Sequence, residues 1–180
     1  MRVREIDTSV RRDVRRFVDF PFRLYAMCRQ WSPPLVSNVK LALDRKRHPF
    51  YRRSDAAFYL AEEDGAVVGR IAVLDNRRYN AYTGRNAAFF YYFDAVNNET
   101  AAHGLFDAAA GWAAGRGLET LLGPKGLLRS DPLGILVEGY EYVAALSMPY
   151  NYPYYPKLMK AVGMEKDMDY RSGYMVSGQT

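Results

Sequence analysis

The chain has 180 residues, of which 49% are hydrophobic and 25% are charged, and its formal net charge is +5. This composition is typical of a globular protein, and the length suits one domain, which we assign to residues 1–180. No apolar run approaches the roughly 20 residues of a membrane span, and the first residues lack the apolar core of a secretory signal. The single cysteine, Cys28, excludes an internal disulfide. We therefore expect a cytoplasmic protein that does not bind a membrane.

The charge is unevenly distributed along the chain. Residues 1–53 carry 14 Lys/Arg against 5 Asp/Glu, a balance of +9, whereas residues 54–180 carry 11 against 15, a balance of −4. Part of the excess falls on a predicted helix around 11–16, and part falls in a loop at 45–53. Such a field attracts phosphates, nucleic acid or acidic lipids, although a solvated helix face gives the same pattern. Because no nucleic-acid-binding motif accompanies these charges, we do not expect a nucleic-acid partner.

The first third of the chain predicts a strand and two helices. Residues 2–6 alternate in polarity, which is typical of a short strand. We expect Asp7 or Thr8 to cap a helix and Pro21 to break or kink it. Four apolar residues at helical spacing form its predicted buried face: Val10, Val14, Phe17 and Val18. After a Pro-Pro loop, residues 35–43 predict a second short helix.

The middle of the chain predicts a hairpin, a central strand and a helix. Residues 56–62 and 66–74 flank an Asp64-Gly65 turn, which favours a tight β-hairpin. Residues 87–96 include five consecutive aromatics and are apolar on both faces, as in a strand covered on both sides. Asn98 is expected to cap a helix over about 99–115, and residues 118–122 predict another strand. The helix buries one stripe: Leu105, Phe106, Ala109, Trp112 and Ala113.

The last third is punctuated by Gly and Pro. Residues 123–142 have no clear periodicity, and we predict strands at 143–148 and 164–176. Between them lies PYNYPYYPKLMKAVGM (149–164), a Tyr/Pro-rich turn followed by a short helix that Gly163 ends. Such a helix beside a tyrosine-rich loop can form one wall of a small-molecule cleft.

Several segments together match a known pattern. They are DFPFRLYAMCRQWSPPLVSNVKLALDRKRHPFY (19–51), AAFYLAEEDGAVVGRIAVLDNRRYN (56–80), LLGPKG (121–126) and GILVEGY followed by MPYNYPYYPKLMKAVGM. With the order of elements, they resemble the GNAT superfamily of acyl-CoA-dependent N-acyltransferases. More closely, the chain resembles the amino-terminal part of longer, mostly uncharacterised bacterial GNAT-like proteins. This leaves a truncation at the C-terminus open.

The resemblance implies an α/β fold whose mixed, splayed central sheet is flanked by helices. Acetyl-CoA or another acyl-CoA is then the cosubstrate, bound in the gap of the sheet without a metal. The pantetheine arm pairs with the fourth strand at Phe93, Asp94, Ala95 and Val96. The pyrophosphate rests on the following loop and helix N-terminus, at Asn97, Asn98, Thr100 and Ala102.

The chain departs from the phosphate-binding signature of that superfamily, which reads Arg/Gln-x-x-Gly-x-Gly/Ala. The three specified slots fall on Asn97, Thr100 and Ala102, and only Ala102 is a permitted residue. Glu99 sits where the helix dipole favours an anion, and we expect its carboxylate to compete with the ligand for the N–H groups. The sequence therefore predicts weakened CoA binding.

The catalytic acid also departs from the superfamily. A tyrosine usually precedes the glycine that ends the last helix, and alignment on Gly163 places Met159 there, which cannot donate a proton. Tyr154 or Tyr155, one turn earlier, can substitute. We predict a cleft opposite residues 94–96 whose further walls are Tyr150, Asn151 and Tyr152. The general base stays open among Asp94, Glu138 and Glu141.

Two main functions stay open from the sequence. One is an N-acyltransferase that acts on an unknown amine, and the other is an inactive GNAT-fold binding or structural module. Polyanion binding by the basic first third is a weaker third hypothesis. A second copy of the chain could cover an exposed sheet edge, which leaves a homodimer open.

Overall fold

The computed structural model describes residues 1–173, which form a mixed α/β fold, as the sequence predicts. A 3-10 helix, Pro49–Arg52, precedes the second strand. The strands are β1 (Arg2–Glu5), β2 (Asp55–Glu63), β3 (Ala66–Asp75), β4 (Ala87–Ala95) and β5 (Thr120–Leu122). The helices are α1 (Arg11–Leu24), α2 (Val36–Leu43), α3 (Arg77–Thr83), α4 (Glu99–Ala114) and α5 (Tyr155–Ala161).

The strands form one sheet in the order β1-β2-β3-β4-β5. The first four are antiparallel neighbours, and β5 runs parallel to β4. The predicted hairpin is β2 and β3, and its turn has φ values of 50° at Asp64 and 80° at Gly65. Two positive φ values are what a tight hairpin turn needs, which is why Asp-Gly signals it. The prediction that β4 is an interior strand is also confirmed.

The two faces of the sheet bury separate apolar clusters. One face is covered by α4 and α5, with Phe90, Leu105 and Leu158 in its core. The other is covered by α1, α2 and the 3-10 helix, with Phe17 and Phe58 among its buried side chains. A two-sided cover explains why β4 carries aromatic residues on both faces.

The sheet opens between β4 and β5. The two strands pair over three residues only, Ala87–Phe89 with Thr120–Leu122. One further bond joins the Lys125 N–H to the Phe90 carbonyl at 2.9 Å. Beyond it, no strand among residues 123–173 lies beside β4. The predicted splayed sheet is confirmed, and its opening leaves the C-terminal half of β4 without a strand neighbour on that side.

The start and middle of α1 differ from the prediction. Asp7 and Thr8 do not cap the helix, because it begins at Arg11 with Val10 as the N-cap and no side-chain cap bond. The Asp7 carboxylate instead accepts bonds from the N–H and hydroxyl of Ser9. Nor does Pro21 break the helix, which continues to Leu24 with Pro21 buried.

Two predicted strands near the C-terminus are wrong, and one helix was missed. Residues 143–148 are irregular, because the Ala144 N–H donates to Gln30 in the loop after α1 instead of joining the sheet. Residues 164–173 contain no strand, and 174–176 lie outside the described residues. The missed helix, α3, follows Asn76, whose side chain caps it by accepting from the Tyr79 N–H.

Candidate functional site

The half of β4 that has no β5 neighbour begins with a β-bulge. Arg70 is opposite Asp94 and Ala72 is opposite Tyr91, so two residues of β4, Tyr92 and Phe93, face one residue of β3. Tyr92 has a φ of 49°, in the left-handed region that a bulky side chain adopts rarely. Bulges re-aim side chains and leave the extra residue out of the backbone ladder. Unpaired main chain and redirected tyrosines therefore coincide at the opening of the sheet.

A buried ion pair lies just past the bulge. The Asp94 carboxylate accepts from the Arg70 guanidinium at 2.7 and 2.8 Å, and Arg70 is 3% exposed. A second guanidinium N–H donates to the Phe17 carbonyl at 2.8 Å, and the rings of Phe17 and Tyr92 lie 4.9 and 5.2 Å from the guanidinium carbon. These contacts hold Asp94 at the gap with one oxygen available for other partners.

Two tyrosine hydroxyls continue the network from Asp94. Tyr25, which follows α1, donates to the Asp94 carboxylate at 3.1 Å, and its oxygen is 2.9 Å from the Tyr155 hydroxyl. The Tyr155 oxygen also accepts from the Ala95 N–H at 3.1 Å. Because α1 and α5 cover opposite faces of the sheet, the Tyr25–Tyr155 contact passes through the opening beside β4.

The neighbouring tyrosine occupies the other backbone group of the same residue. Tyr154 donates its hydroxyl to the Ala95 carbonyl at 2.8 Å. Both hydrogen-bonding groups of Ala95 on the open side of β4 are thus taken by the start of α5. Burial raises the pKa of Tyr154 and of Tyr155, and Asp94 raises the latter further. Both phenols are therefore protonated at neutral pH, as a proton donor must be.

A small cavity of about 120 Å³ lies against this network. Of the predicted cleft residues, Tyr150, Asn151 and Tyr155 line it. Tyr152 instead stacks on Tyr25 at 5.0 Å between ring centroids and donates to the Leu24 carbonyl. The remaining lining residues are Arg70, Tyr91, Tyr92, Phe93, Asp94, Pro124, Pro132, Gly134, Ile135 and Pro149. The cavity thus combines aromatic walls with one buried ion pair.

Asn151 holds the irregular segment against α5. Its side-chain oxygen accepts from the Leu136 N–H at 2.7 Å, and its amide nitrogen donates to the Leu136 carbonyl at 3.1 Å. Asn151 is 4% exposed, so these bonds fix the roof of the cavity. The sequence predicts Asn151 as a wall of the cleft, and in the structure its side-chain amide is already bonded to protein groups.

The N-terminus of α4 is capped by protein groups. The Asn98 side chain accepts from the Ala101 N–H at 3.1 Å, as the sequence predicts, and the Asn98 carbonyl accepts from the Ala102 N–H. The predicted competition by Glu99 is not seen. Its carboxylate pairs with Lys157 of α5 at 2.9 Å, which lowers the pKa of Glu99. Asn97 and Thr100 lie in the same turn.

Two residues of the network were not anticipated from the sequence. Arg70 carried a signal, since it is the one charge inside the apolar strand AVVGRIAVL, and a charge there needs a buried partner. Tyr25 carried none, because only the fold brings it to Tyr155. The structure brings Asp94 into the cavity, whereas the other two candidate bases, Glu138 and Glu141, are exposed and do not line it.

Comparison with known proteins places these features in context. No family model matches the chain. It is 27% identical to Protein YghO of Escherichia coli K12 over 163 residues, covering 91% of this chain and 42% of that protein. It is 29% identical to the Bacterial ceramide synthase of Caulobacter vibrioides over 158 residues, covering 87% and 41%. The chain thus spans about two fifths of the length of these relatives.

Solved structures match over the whole chain. An aminoglycoside acetyltransferase from an uncultured soil metagenomic sample, in complex with sisomicin, superposes with a TM-score of 0.58, 10% identity and coverage of 98% and 96%. A predicted acetyltransferase with acetyl-CoA from Clostridium acetobutylicum gives 0.56, 11% and 99% of both chains. The chain has the GNAT fold. The Brucella ribosomal-protein-alanine N-acetyltransferase agrees, with a TM-score of 0.53, 17% identity and coverage of 97% and 96%.

Two further findings apply to residues 1–173. No helix among them is long and apolar enough to cross a membrane. No group of three or more His, Cys, Asp or Glu side chains in that range is placed to hold a metal ion.

Proposed function

We propose that the protein transfers an acyl group from acyl-CoA to an amine. The observation that carries this proposal is the opening beside β4, where a bulge, the half-buried carboxylate of Asp94 and two protonated tyrosines meet. The resemblance to the superfamily implies that the acyl donor lies in such an opening, and one structural neighbour was solved with acetyl-CoA. The geometry supplies what an acyl transfer needs, namely a proton acceptor near one end of a short chain and a proton donor at the other.

The chemical step is direct attack. The amine lone pair bonds to the thioester carbonyl carbon, and the C–S bond breaks as the amide forms. The attacking nitrogen loses one proton, and the departing thiolate gains one. Positioning of the two reactants in the gap supplies most of the acceleration, because it replaces a bimolecular encounter with an oriented pair.

The buried network offers a route for that proton. Asp94 accepts a proton from the amine, and Tyr155 donates one to the thiolate. Tyr25 lies between them, within 3.1 Å of Asp94 and 2.9 Å of Tyr155, and passes a proton from the first to the second. No net proton is gained or lost by the protein. Tyr154, which bonds the same strand residue as Tyr155, is the second candidate donor.

A second function, an inactive GNAT-fold binding module, is favoured by one observation. The N–H and carbonyl of Ala95 are both bound by tyrosine hydroxyls, whereas the superfamily resemblance assigns them to the pantetheine arm. Together with the absent Arg or Gln at 97 and the absent glycine at 100, this contact opposes CoA binding along β4. The acyltransferase function therefore requires that Tyr154 and Tyr155 release their hydrogen bonds to the Ala95 backbone when the donor binds.

The experiment that separates the two functions measures thiol release. The chain is mixed with acetyl-CoA or a long-chain acyl-CoA and a panel of amines. The related proteins and structural neighbours named above suggest the panel: an aminoglycoside, a peptide with N-terminal alanine and a long-chain amino alcohol. We expect free CoA to appear only when one of these amines is present. Tyr155→Phe should slow release while the folded fraction, checked by circular dichroism, is unchanged.

The contrary result is equally defined. If no amine stimulates thiol release, and calorimetric titration detects no binding of CoA, the acyltransferase proposal is wrong and the binding module stands. Release that Tyr155→Phe leaves unchanged would retain the reaction but remove Tyr155 from it.

A further inference from the structure

A row of arginines follows one face of α1. Three arginines follow Arg12 at 3, 4 and 11 residues: Arg15, Arg16 and Arg23. With Asp19, which lies between them, they share one stripe of the helix, because residues three or four apart lie on the same face. The stripe is about 16 Å long at 1.5 Å per residue. It faces the β2–β3 turn at 65–67, and a groove of about 370 Å³ lies between the two.

The arginines that line the groove differ in whether protein groups hold their guanidinium groups in place. The Arg16 guanidinium is held by the Glu62 carboxylate at 2.5 Å and by the Gly65 carbonyl at 2.9 Å. Arg15 and Asp19 form an exposed ion pair, 3.3 Å apart, and solvent screens the attraction between their charges. Arg12 and Arg23 are exposed and form no ion pair with any residue of 1–173. Four arginines and one aspartate give the lining a charge of +3.

The groove lies at the end of the sheet where β4 ends. The β3 residue next to its lining, Val68, accepts from the Val96 N–H at 3.0 Å. Val96 directly follows β4, and Asn98, two residues later, caps α4. Guanidinium groups are thus available near the strand end, on the α1 side, and the loop at 97–102 lacks the glycine of the signature at position 100.

We infer that this groove binds the phosphate groups of a small molecule that carries two or more phosphates. Guanidinium groups bind phosphate oxygens through paired, charge-assisted hydrogen bonds, and they do so without the close backbone approach that glycine permits. The length of the stripe exceeds what one phosphate can engage. If the proposed acyl transfer is correct, the natural ligand is the nucleotide part of acyl-CoA, so this identification rests on that proposal.

The alternative is a solvated helix face. It predicts no dependence of ligand binding on which arginines are removed. It also leaves unexplained why Arg16 is fixed beneath the stripe by two acceptors from the hairpin. The test therefore compares arginines inside the groove with equally exposed cations outside it.

The probes are CoA, adenosine 3′,5′-bisphosphate and inorganic pyrophosphate, each titrated by calorimetry at 50 and 300 mM salt. The test variant is Arg12→Gln/Arg15→Gln/Arg23→Gln. The control is Lys46→Gln/Arg52→Gln/Arg53→Gln, which removes the same charge from exposed positions outside the groove. We expect the test variant to weaken binding of the bisphosphate by about tenfold or more, since each charge-assisted bond contributes substantially. The control should change it by less than about twofold.

Vesicles separate the two sources of phosphate. In flotation with phosphatidylglycerol vesicles, the test and control variants should behave alike, with no binding that is lost only in the test variant. Phosphatidylcholine vesicles serve as the neutral control. Binding to anionic vesicles without binding to the soluble probes would overturn the small-molecule inference in favour of a lipid headgroup. Equal losses of affinity for the soluble probes in the test and control variants would show that binding depends on the overall charge of the protein and not on the groove.

The outcomes also separate this inference from the acyltransferase. Thiol release with CoA affinity equal in the test and control variants would retain the reaction and remove the groove. Arginine-dependent binding of the bisphosphate, without thiol release for any acyl-CoA, would retain the groove and remove the reaction.

Discussion

The two ends of β4 are held by different means. At its start, Ala88 and Phe89 are paired on both sides, with β3 and with β5. At its end, the β3 side remains paired, but the other side is satisfied by the hydroxyls of Tyr154 and Tyr155. A backbone ladder is cooperative and insensitive to side chains, whereas two phenol contacts can be replaced by a ligand with similar donors and acceptors. The open end is therefore where binding can occur.

The comparison extends to the charges. The paired region near Phe58 is apolar, and its arginines pair with acids at its rim, such as Arg4 with Asp13 at 2.8 Å. The open end instead buries a complete ion pair, Arg70–Asp94. A buried pair stabilises weakly compared with apolar side chains of the same volume, so its presence beside the gap favours a role in chemistry.

The largest effect is expected in the paired region. Phe58→Ala removes a fully buried ring that contacts Phe17 edge to face at 5.4 Å, so the free energy of unfolding should fall by about 3–5 kcal/mol. Chemical denaturation measures it. Tyr82→Ala, 91% exposed, is the control and should change stability by less than about 0.5 kcal/mol. A loss below about 1 kcal/mol for Phe58→Ala would contradict the packed core.

The next effect tests the ion pair. Asp94→Asn leaves the Arg70 charge buried without a carboxylate and should cost about 3 kcal/mol of unfolding free energy. The double variant Arg70→Met/Asp94→Leu removes both charges and should be more stable than the single variant. Chemical denaturation measures both variants. An equal loss of unfolding free energy in the single and the double variant would show that lost packing, and not the unpaired charge of Arg70, causes the destabilisation.

A smaller effect distinguishes the tyrosine contacts at the open end. Tyr155→Phe leaves the buried Ala95 N–H without its acceptor and should cost about 2 kcal/mol of stability. Because it also frees that N–H for a ligand, CoA should bind about fivefold more tightly, which corresponds to about 1 kcal/mol. Calorimetry measures the affinity, and Tyr82→Phe, at a position 91% exposed, is the control. Weaker CoA binding would show that the Tyr155 hydroxyl does not compete with CoA for the Ala95 N–H.

The smallest effect concerns the rim of the paired region at low pH. The hydrogen bond and charge of Arg4 lower the pKa of Asp13 in the folded state. Its contribution to stability is therefore complete above its unfolded pKa of about 3.9 and is lost as the pH falls through the lowered folded value. Asp13→Asn should lower the melting temperature at pH 7, and the difference from the wild type should shrink below about pH 4. Asp107→Asn, an exposed control, should show no such convergence.

Sequence and tertiary structure contributed differently to these two regions. The sequence by itself determined the paired region, because the alternation of β2 and β3, the Asp64-Gly65 turn and the two-sided apolar run of β4 are local signals. It also determined the Asn98 cap and the helix end at Gly163. The fold class followed from the order of these elements together with the resemblance to the GNAT superfamily.

Only the tertiary structure decided the open end. No local signal directs residues 143–148 away from the sheet, since their apolar pattern suits a strand, and it is the Gln30 carbonyl that binds the Ala144 N–H. Nor could it place Tyr25 beside Tyr155, which are 130 residues apart, or direct Tyr154 and Tyr155 onto Ala95. Such contacts depend on how α1, β4 and α5 meet in space, whereas periodicity and turn chemistry act over a few residues.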